Sequence, residues 1–144
     1  ASATRLTGTV PCSGSPAADA WRSGTYYDPA RDGEGILVQI LPDGRAVVML
    51  YSYDPQGGQF WSVSSEVVIE GEMLTASMIY PAQPTRFGTN FVANQIQFAP
   101  WGTITLRYRG CDALDFAYTS TVAGFGSGQR EYVRLTATEG TTCP

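Results

Sequence analysis

The stretch GTITLRYRGCDALDFAYT, residues 102–119, contains two alternating segments separated by a short turn. In each segment the even positions are apolar and most odd positions are polar, which is the pattern of a β-strand with one buried face. A turn at Gly110-Cys111-Asp112 gives the apolar pairs Ile104–Tyr118, Leu106–Phe116 and Tyr108–Leu114. A slip of one residue would expose both apolar rows to water, so the stretch predicts an antiparallel hairpin of fixed register.

A second hairpin is predicted around Pro42-Asp43-Gly44, a sequence that favours a tight turn. One face pairs Ile36 with Leu50, Val38 with Val48 and Ile40 with Ala46. The other face is also largely apolar and carries Leu37, Leu41, Val47, Met49, Tyr51 and Tyr53. A strand pair that is apolar on both faces needs a second cover. We expect another part of the monomer to supply it, with a dimer partner or a ligand as the alternatives.

The rest of the chain continues this pattern of short β-rich runs separated by glycine, proline and aspartate. The predicted strands are about 24–27, 35–41, 45–53, 59–64, 67–70, 73–80, 92–98, 102–109, 113–119 and 130–137. The fold expected is therefore an all-β antiparallel meander of about 8–10 strands, closed or half-closed as a barrel or a sandwich. In the last strand we expect Val133 and Leu135 to point inward and the strand to pair with an early one. Residues 1–22 are predicted to be an irregular N-terminal tail, and residues 23–144 a single domain.

Composition excludes several classes of function. The 144 residues include no histidine and no lysine, which excludes Ser-His-Asp, Cys-His and Ser-Lys catalysis and imidazole-bound zinc. The net charge of −4 disfavours nucleic acids and anionic membranes as partners. The few charges and the absence of an apolar run of about 20 residues favour an exported domain without a membrane span. Secretion or a periplasmic location is therefore expected.

The three cysteines also suit an oxidising compartment. They are Cys12, Cys111 and Cys143, with no spacing typical of a zinc site. We predict a disulfide between Cys111 and Cys143, which would join the hairpin turn to the C-terminal tail. Pairing of Cys12 with Cys143 is the alternative. The third cysteine is then free or bonded to another chain.

The most distinctive segment is Gly24-Thr25-Tyr26-Tyr27-Asp28-Pro29-Ala30-Arg31-Asp32-Gly33-Glu34-Gly35-Ile36, partly repeated at Tyr53-Asp54-Pro55-Gln56-Gly57-Gly58. Asp-Pro followed by glycine makes a well-defined turn, and two structural loops are the simplest interpretation. A calcium site is the functional hypothesis, because Asp28, Asp32 and Glu34 offer hard oxygen ligands in a short loop. Their spacing does not match an EF-hand. No other cofactor is predicted.

Aromatic side chains suggest a second kind of site. Tyr27, Tyr51, Tyr53 and Trp61 lie in or beside turns and strand ends, near several carboxylates. Planar aromatic rings beside hydrogen-bond acceptors are a common way to bind sugar rings. Tyr26 and Trp101 lie in the same neighbourhoods, and the four residues named first are the predicted ligand-binding set. The alternative for all six is that they form the core or fill the ends of the barrel, as most aromatics of small β-proteins do.

These motifs resemble a recurring β-domain of exported bacterial proteins. The shared features are Gly-x-Trp/Tyr-Tyr-x-Pro-x-x-x-Gly-x-Gly, the Pro-Asp-Gly hairpin, Tyr-Asp-Pro-x-Gly, the segment from Trp101 to Leu106, Cys111, and the end of the chain from Gly126. The resemblance covers about residues 23–143, with Tyr26 standing where tryptophan is commoner. It implies export and a β-fold. It carries no known activity, so it assigns no catalytic residue.

The function expected is a non-catalytic binding or accessory domain that recognises an extracellular polysaccharide or a protein. One alternative is a docking or inhibitor domain that uses the apolar face at Leu37, Val47 and Met49, and a dimer would use the same kind of surface. Another is a carboxylate-only glycan hydrolase, which would need two acids facing each other across one cleft.

Overall fold

The computed structural model describes residues 17–144, which form eight β-strands. The strands are β1 Gly24–Tyr27, β2 Gly35–Ile40, β3 Ala46–Tyr53, β4 Gln59–Glu70, β5 Met73–Gln83, β6 Gln97–Tyr108, β7 Ala113–Ser120 and β8 Ser127–Ala137. Three short 3-10 helices complete the described elements, at Ala20–Arg22, Gly88–Asn90 and Ala93–Gln95. No helix within residues 17–144 is long and apolar enough to cross a membrane.

Each strand pairs antiparallel with the next, and β8 pairs with β1 to close a barrel. The predicted all-β meander is therefore confirmed, and it closes as a barrel. The predicted strands 59–64 and 67–70 are one strand, β4, interrupted by a bulge between Ser64 and Glu66. The bulge adds one residue, which shifts the inward-facing positions from even to odd and makes one strand look like two in the sequence.

Both predicted hairpin registers are confirmed. In β6 and β7, Leu106 pairs with Phe116 and Arg107 with Asp115, and in β2 and β3 Val38 pairs with Val48. The inner faces of these hairpins form much of the barrel core. The outer face is less covered than the sequence predicts, because the cross-strand pair Leu37 and Met49 remains 37% and 38% exposed.

The prediction for β8 is wrong in its side-chain orientation. Val133 and Leu135 are 39% and 55% exposed, whereas Tyr132 is fully buried. The pairing of Leu114 with Tyr132 places Tyr132 on the inner face. Arg134 also lies inside, because its guanidinium donates to backbone carbonyls there and its Nε lies 3.2 Å from the Asp112 carboxylate. The aliphatic residues of β8 are left on the outer face.

One end of the barrel, here called the base, is closed by the segment before β1. The hydroxyls of Tyr26 and Tyr108 donate to the Arg22 carbonyl oxygen, at 2.7 and 3.1 Å. Arg134 donates to the carbonyl oxygens of Trp21, Ser23 and Cys111, at 2.8 to 2.9 Å. These bonds hold the segment across the base, and the side chains that make them fill the opening.

The disulfide between Cys111 and Cys143 is confirmed, with the two Cα atoms 6.0 Å apart. It joins the β6–β7 turn to the end of the chain. Cys12, the alternative partner, lies outside the described residues.

The other end of the barrel, here called the mouth, is formed by the loops after β1, β3, β5 and β7. Since neighbouring strands are antiparallel, these four alternate loops lie at the same end. The loops cover residues 28–34, 54–58, 84–96 and 121–126. The mouth is therefore the end at which loop residues and barrel interior meet.

Candidate functional site

A β-bulge turns Trp101 into the mouth of the barrel. Gly102 pairs with Met78 and Pro100 with Ile79, so Trp101 is an extra residue in β6 without a partner on β5. Bulges commonly re-aim a side chain in this way. Trp101 is only 2% exposed. Its carbonyl oxygen accepts hydrogen bonds from the Ser120 hydroxyl at 2.6 Å and from the Thr121 amide at 2.9 Å, which anchors the bulge to β7 and the loop after it.

Aromatic rings around Trp101 form one wall of the mouth. The centroid of the Phe60 ring lies 5.9 Å from that of Trp101 and 4.8 Å from that of Phe125, and Trp101 and Phe125 meet edge to face at 5.5 Å. Tyr118 lies 6.1 Å from Trp101 on the β7 side. Such offset and edge contacts stabilise aromatic clusters beyond their buried area. The wall is thus preformed.

Glu34, Ser52 and Arg130 form a polar wall of the mouth, and the buried Tyr132 contacts Glu34 from the core. Glu34, from the loop after β1, accepts a hydrogen bond from the Ser52 hydroxyl at 2.7 Å. The Arg130 guanidinium lies 3.9 Å from the other oxygen of Glu34, and the Tyr132 hydroxyl lies 3.5 Å from that same oxygen. Burial raises the pKa of Tyr132, and the nearby charge of Glu34 raises it further. Tyr132 is therefore a neutral hydrogen-bond donor at neutral pH.

The two walls enclose a cavity of about 190 Å³. Its lining consists of Arg31, Glu34, Leu50, Ser52, Tyr53, Asp54, Pro55, Phe60, Trp101, Phe116, Tyr118, Gly124, Phe125 and Arg130. Two carboxylates and two guanidiniums are present, so the formal charges of the lining cancel. The indole nitrogen of Trp101 is buried and has no hydrogen-bond partner among the described residues. An unsatisfied buried donor beside a cavity is a feature that a ligand oxygen would satisfy.

Two loops meet across the rim of the cavity. Asp54 shapes the β3–β4 loop, because its side chain accepts hydrogen bonds from the amides of Gln56 and Gly58 at 2.8 and 2.9 Å. The adjacent Pro55 lies against Gly124 of the β7–β8 loop, where a Cβ atom would stand 2.8 Å from the proline ring. Phe125, which follows Gly124, is part of the aromatic wall, so the contact between the two loops fixes one side of that wall.

The structure divides the predicted aromatic set. Tyr53 lines the cavity, although half of its surface is exposed. Tyr51 and Trp61 are a cross-strand pair on the outer face, where Trp61 is 43% exposed and packs edge to face against Phe98. Tyr27 pairs with Val133, also on the outer face. Of the four predicted residues, Tyr53 therefore lies at the mouth and the other three lie on the outer face.

The predicted calcium ligands are also separated. Glu34 turns inward to Ser52, whereas Asp28 accepts a hydrogen bond from the Ala30 amide at 2.9 Å and so completes its own turn. Asp32 is exposed. Within residues 17–144, no three carboxylate, thiol or imidazole groups lie close enough together to hold a metal ion.

Sequence reasoning missed Phe60, Ser52, Tyr118, Phe125 and Arg130 as site residues. A signal for the bulge was present in Pro100-Trp101-Gly102, because proline and glycine inside a strand typically mark an irregularity. Arg130 shares the face of Tyr132, which the sequence predicted to point outward, so it could not be found from the alternation of β8. The other residues carry no distinguishing local pattern.

Comparison with known proteins gives no relative: no family model, no curated protein and no solved structure matches this chain.

Proposed function

We propose that this barrel is a non-catalytic binding domain whose mouth holds the terminal ring of an extracellular polysaccharide. The observation that carries the proposal is the buried indole nitrogen of Trp101, which lacks a partner beside a cavity with one aromatic and one polar wall. A sugar ring has an apolar C–H face for the aromatic wall and hydroxyl groups for the polar wall. The indole nitrogen has almost no exposed surface, so one of the sugar hydroxyl oxygens would accept its N–H after a neighbouring side chain of the mouth moves aside.

The size and charge of the cavity support this ligand class. A cavity of about 150 Å³ accommodates benzene, so 190 Å³ is large enough for one hydroxylated ring. Because side chains fill the base of the barrel, a polysaccharide cannot pass through it, and binding would be to a chain end. The balanced charges of Glu34, Asp54, Arg31 and Arg130 favour a neutral ring over an acidic one. A location outside the cytoplasm agrees with the Cys111–Cys143 disulfide.

The test is a calorimetric and fluorescence titration of the full chain with a panel of methyl glycosides and short oligosaccharides. One ligand should saturate the wild type. Trp101→Phe keeps a ring but removes the N–H donor, so its affinity should fall about tenfold, the equivalent of one hydrogen bond. Trp61→Phe is the matched control, because Trp61 lies on the outer face, and its affinity should be unchanged.

The other outcomes separate the competing hypotheses. Loss of binding in Trp61→Phe but not in Trp101→Phe would contradict the mouth and favour the outer surface at Tyr51 and Trp61. Cleavage of a bound oligosaccharide would support the hydrolase alternative, with Glu34 and Asp54 as the two acids in one cavity. Glycan binding that requires calcium and is lost with EDTA would support the hypothesis that Asp28 and Asp32 are calcium ligands. Failure of the whole panel would refute the glycan proposal and turn attention to a protein partner at the exposed Leu37–Met49 face.

A further inference from the structure

The hairpin of β5 and β6 continues beyond its last pairs with β4 and β7 at the mouth end. The last residue of β5 paired with β4 is Ile79, and the first residue of β6 paired with β7 is Gly102. Beyond these points the two strands pair with each other through Tyr80–Ala99, Pro81–Phe98 and Gln83–Gln97. Residues 80–100, here called the arm, thus form a two-stranded extension with the loop 84–96 at its tip.

The tip of the arm is ordered by its own hydrogen bonds. The Thr85 hydroxyl oxygen accepts from the Val92 amide at 2.9 Å and lies 3.1 Å from the Gln95 side-chain oxygen. The Phe91 amide donates to the Gly88 carbonyl at 3.0 Å. These hydrogen bonds therefore give the loop a defined conformation in which its apolar side chains are exposed.

The tip presents three large apolar side chains to solvent. Phe87 is fully exposed, Phe91 is 53% exposed and Val92 is 42% exposed. At the root of the arm, Phe98 packs against Trp61 with ring centroids 6.1 Å apart. Contiguous exposed apolar groups of this kind mark an interaction surface.

The charge pattern of this hairpin differs from that of the rest of the protein. Arg86 is the single charged residue among the 34 residues from Met73 to Leu106, although the chain as a whole carries thirteen acidic residues. Arg86 directly precedes Phe87, and in the structure of residues 17–144 it forms no salt bridge. The arm therefore combines an apolar tip with one available cation.

We propose that the arm is a lipid-surface anchor. Phe87, Phe91 and Val92 would enter the boundary between headgroups and acyl chains, and Arg86 would contact a lipid phosphate. Exposed phenylalanine rings at a loop tip can insert into a fluid lipid surface, and the cation of Arg86 beside them complements the lipid phosphate. Aromatic residues such as Trp61 also favour the membrane interface. The absence of carboxylates from the hairpin removes repulsion from phosphate at the point of contact.

The test is co-sedimentation of the full chain with vesicles of phosphatidylcholine, alone or mixed with phosphatidylglycerol. The wild type should bind both, because the contact is made by the arm, whose one charge is that of Arg86, and not by the acidic remainder of the chain. Phe87→Ser should lower the partition coefficient about tenfold, since a fully exposed phenylalanine gains most from insertion. Arg86→Gln should weaken binding mainly to vesicles that contain phosphatidylglycerol. Leu135→Ser is the matched control, because Leu135 is 55% exposed on β8 away from the arm, and it should bind like the wild type.

The proposal is overturned if the wild type does not sediment with either vesicle, or if Leu135→Ser loses as much binding as Phe87→Ser. It is also overturned if analytical ultracentrifugation shows a dimer that Phe87→Ser converts to a monomer, because the tip would then bind a second copy of the chain. The inference does not rest on the glycan proposal. Phe87→Ser should still bind a sugar that the wild type binds, so the failure of either proposal can be distinguished from failure of the other.

Discussion

Gly102→Ala should destabilise the protein strongly, because this glycine allows the bulge that positions Trp101. Gly102 has a φ of +149°, a conformation that residues with a Cβ atom rarely adopt. A Cβ atom there would also overlap the carbonyl oxygen of Thr119 and stand 2.7 Å from the Cα atom of Ser120. Both neighbours are backbone atoms of a paired strand, so neither can move without disturbing β7.

The magnitude follows from two costs. Strained backbone at such a φ costs about 1–3 kcal/mol, and overpacking against groups that cannot relax costs about 1–3 kcal/mol more. We therefore expect a loss of about 3 kcal/mol or more, equivalent to a fall in Tm of about 10 °C for a domain of this size.

The assay is urea unfolding of the oxidised protein, followed by tryptophan fluorescence and circular dichroism. Gly44→Ala is the matched control, because Gly44 also has a positive φ, +88°, but no atom would lie within 4 Å of an added Cβ. The control should lose only about 1 kcal/mol. Equal unfolding midpoints for the two variants would refute the argument that the β6 bulge is held by contact with β7.

Two further predictions concern stability. Burial raises the pKa of Tyr26, Tyr108 and Tyr132 above the usual value of about 10. These tyrosines ionise at lower pH in the unfolded chain than in the folded one, so the free energy of unfolding is unaffected below pH 10 and falls as the pH rises further. Phenolate absorbance from these residues should therefore appear together with loss of the circular dichroism signal, and ionisation within an intact fold would contradict this. Reduction of the Cys111–Cys143 disulfide, which joins residues 32 positions apart, should lower the free energy of unfolding by about 3–4 kcal/mol. An unchanged urea midpoint under reductant would exclude that contribution.

Where neighbouring strands meet through a short turn, the sequence is enough to predict the structure. The alternation in residues 102–119 and the turn at Pro42-Asp43-Gly44 each allow one register that buries a complete apolar row. The disulfide could be proposed because Cys111 lies in one of these predicted turns. The absence of histidine and lysine excludes whole classes of chemistry from composition alone.

The candidate site required the tertiary structure. Trp101 faces the mouth because one extra residue in β6 reverses the alternation at that point. The Glu34 side chain points into the barrel because its partners there are Ser52 and Arg130, which are distant from it in sequence. Tyr53 of the predicted ligand-binding set and Glu34 of the predicted calcium ligands line the cavity, together with Trp101 and Asp54.

What the sequence determined by itself was therefore the all-β meander, the register of two hairpins and the limits on chemistry, since each depends on residues close together in the chain. Closure of the barrel, the inward orientation of Tyr132 and Arg134, and the cavity at the mouth were decided only by the tertiary structure. A buried polar group is stable only when distant partners satisfy it, as the Trp21, Ser23 and Cys111 carbonyls do for Arg134. Local alternation contains no information about such partners.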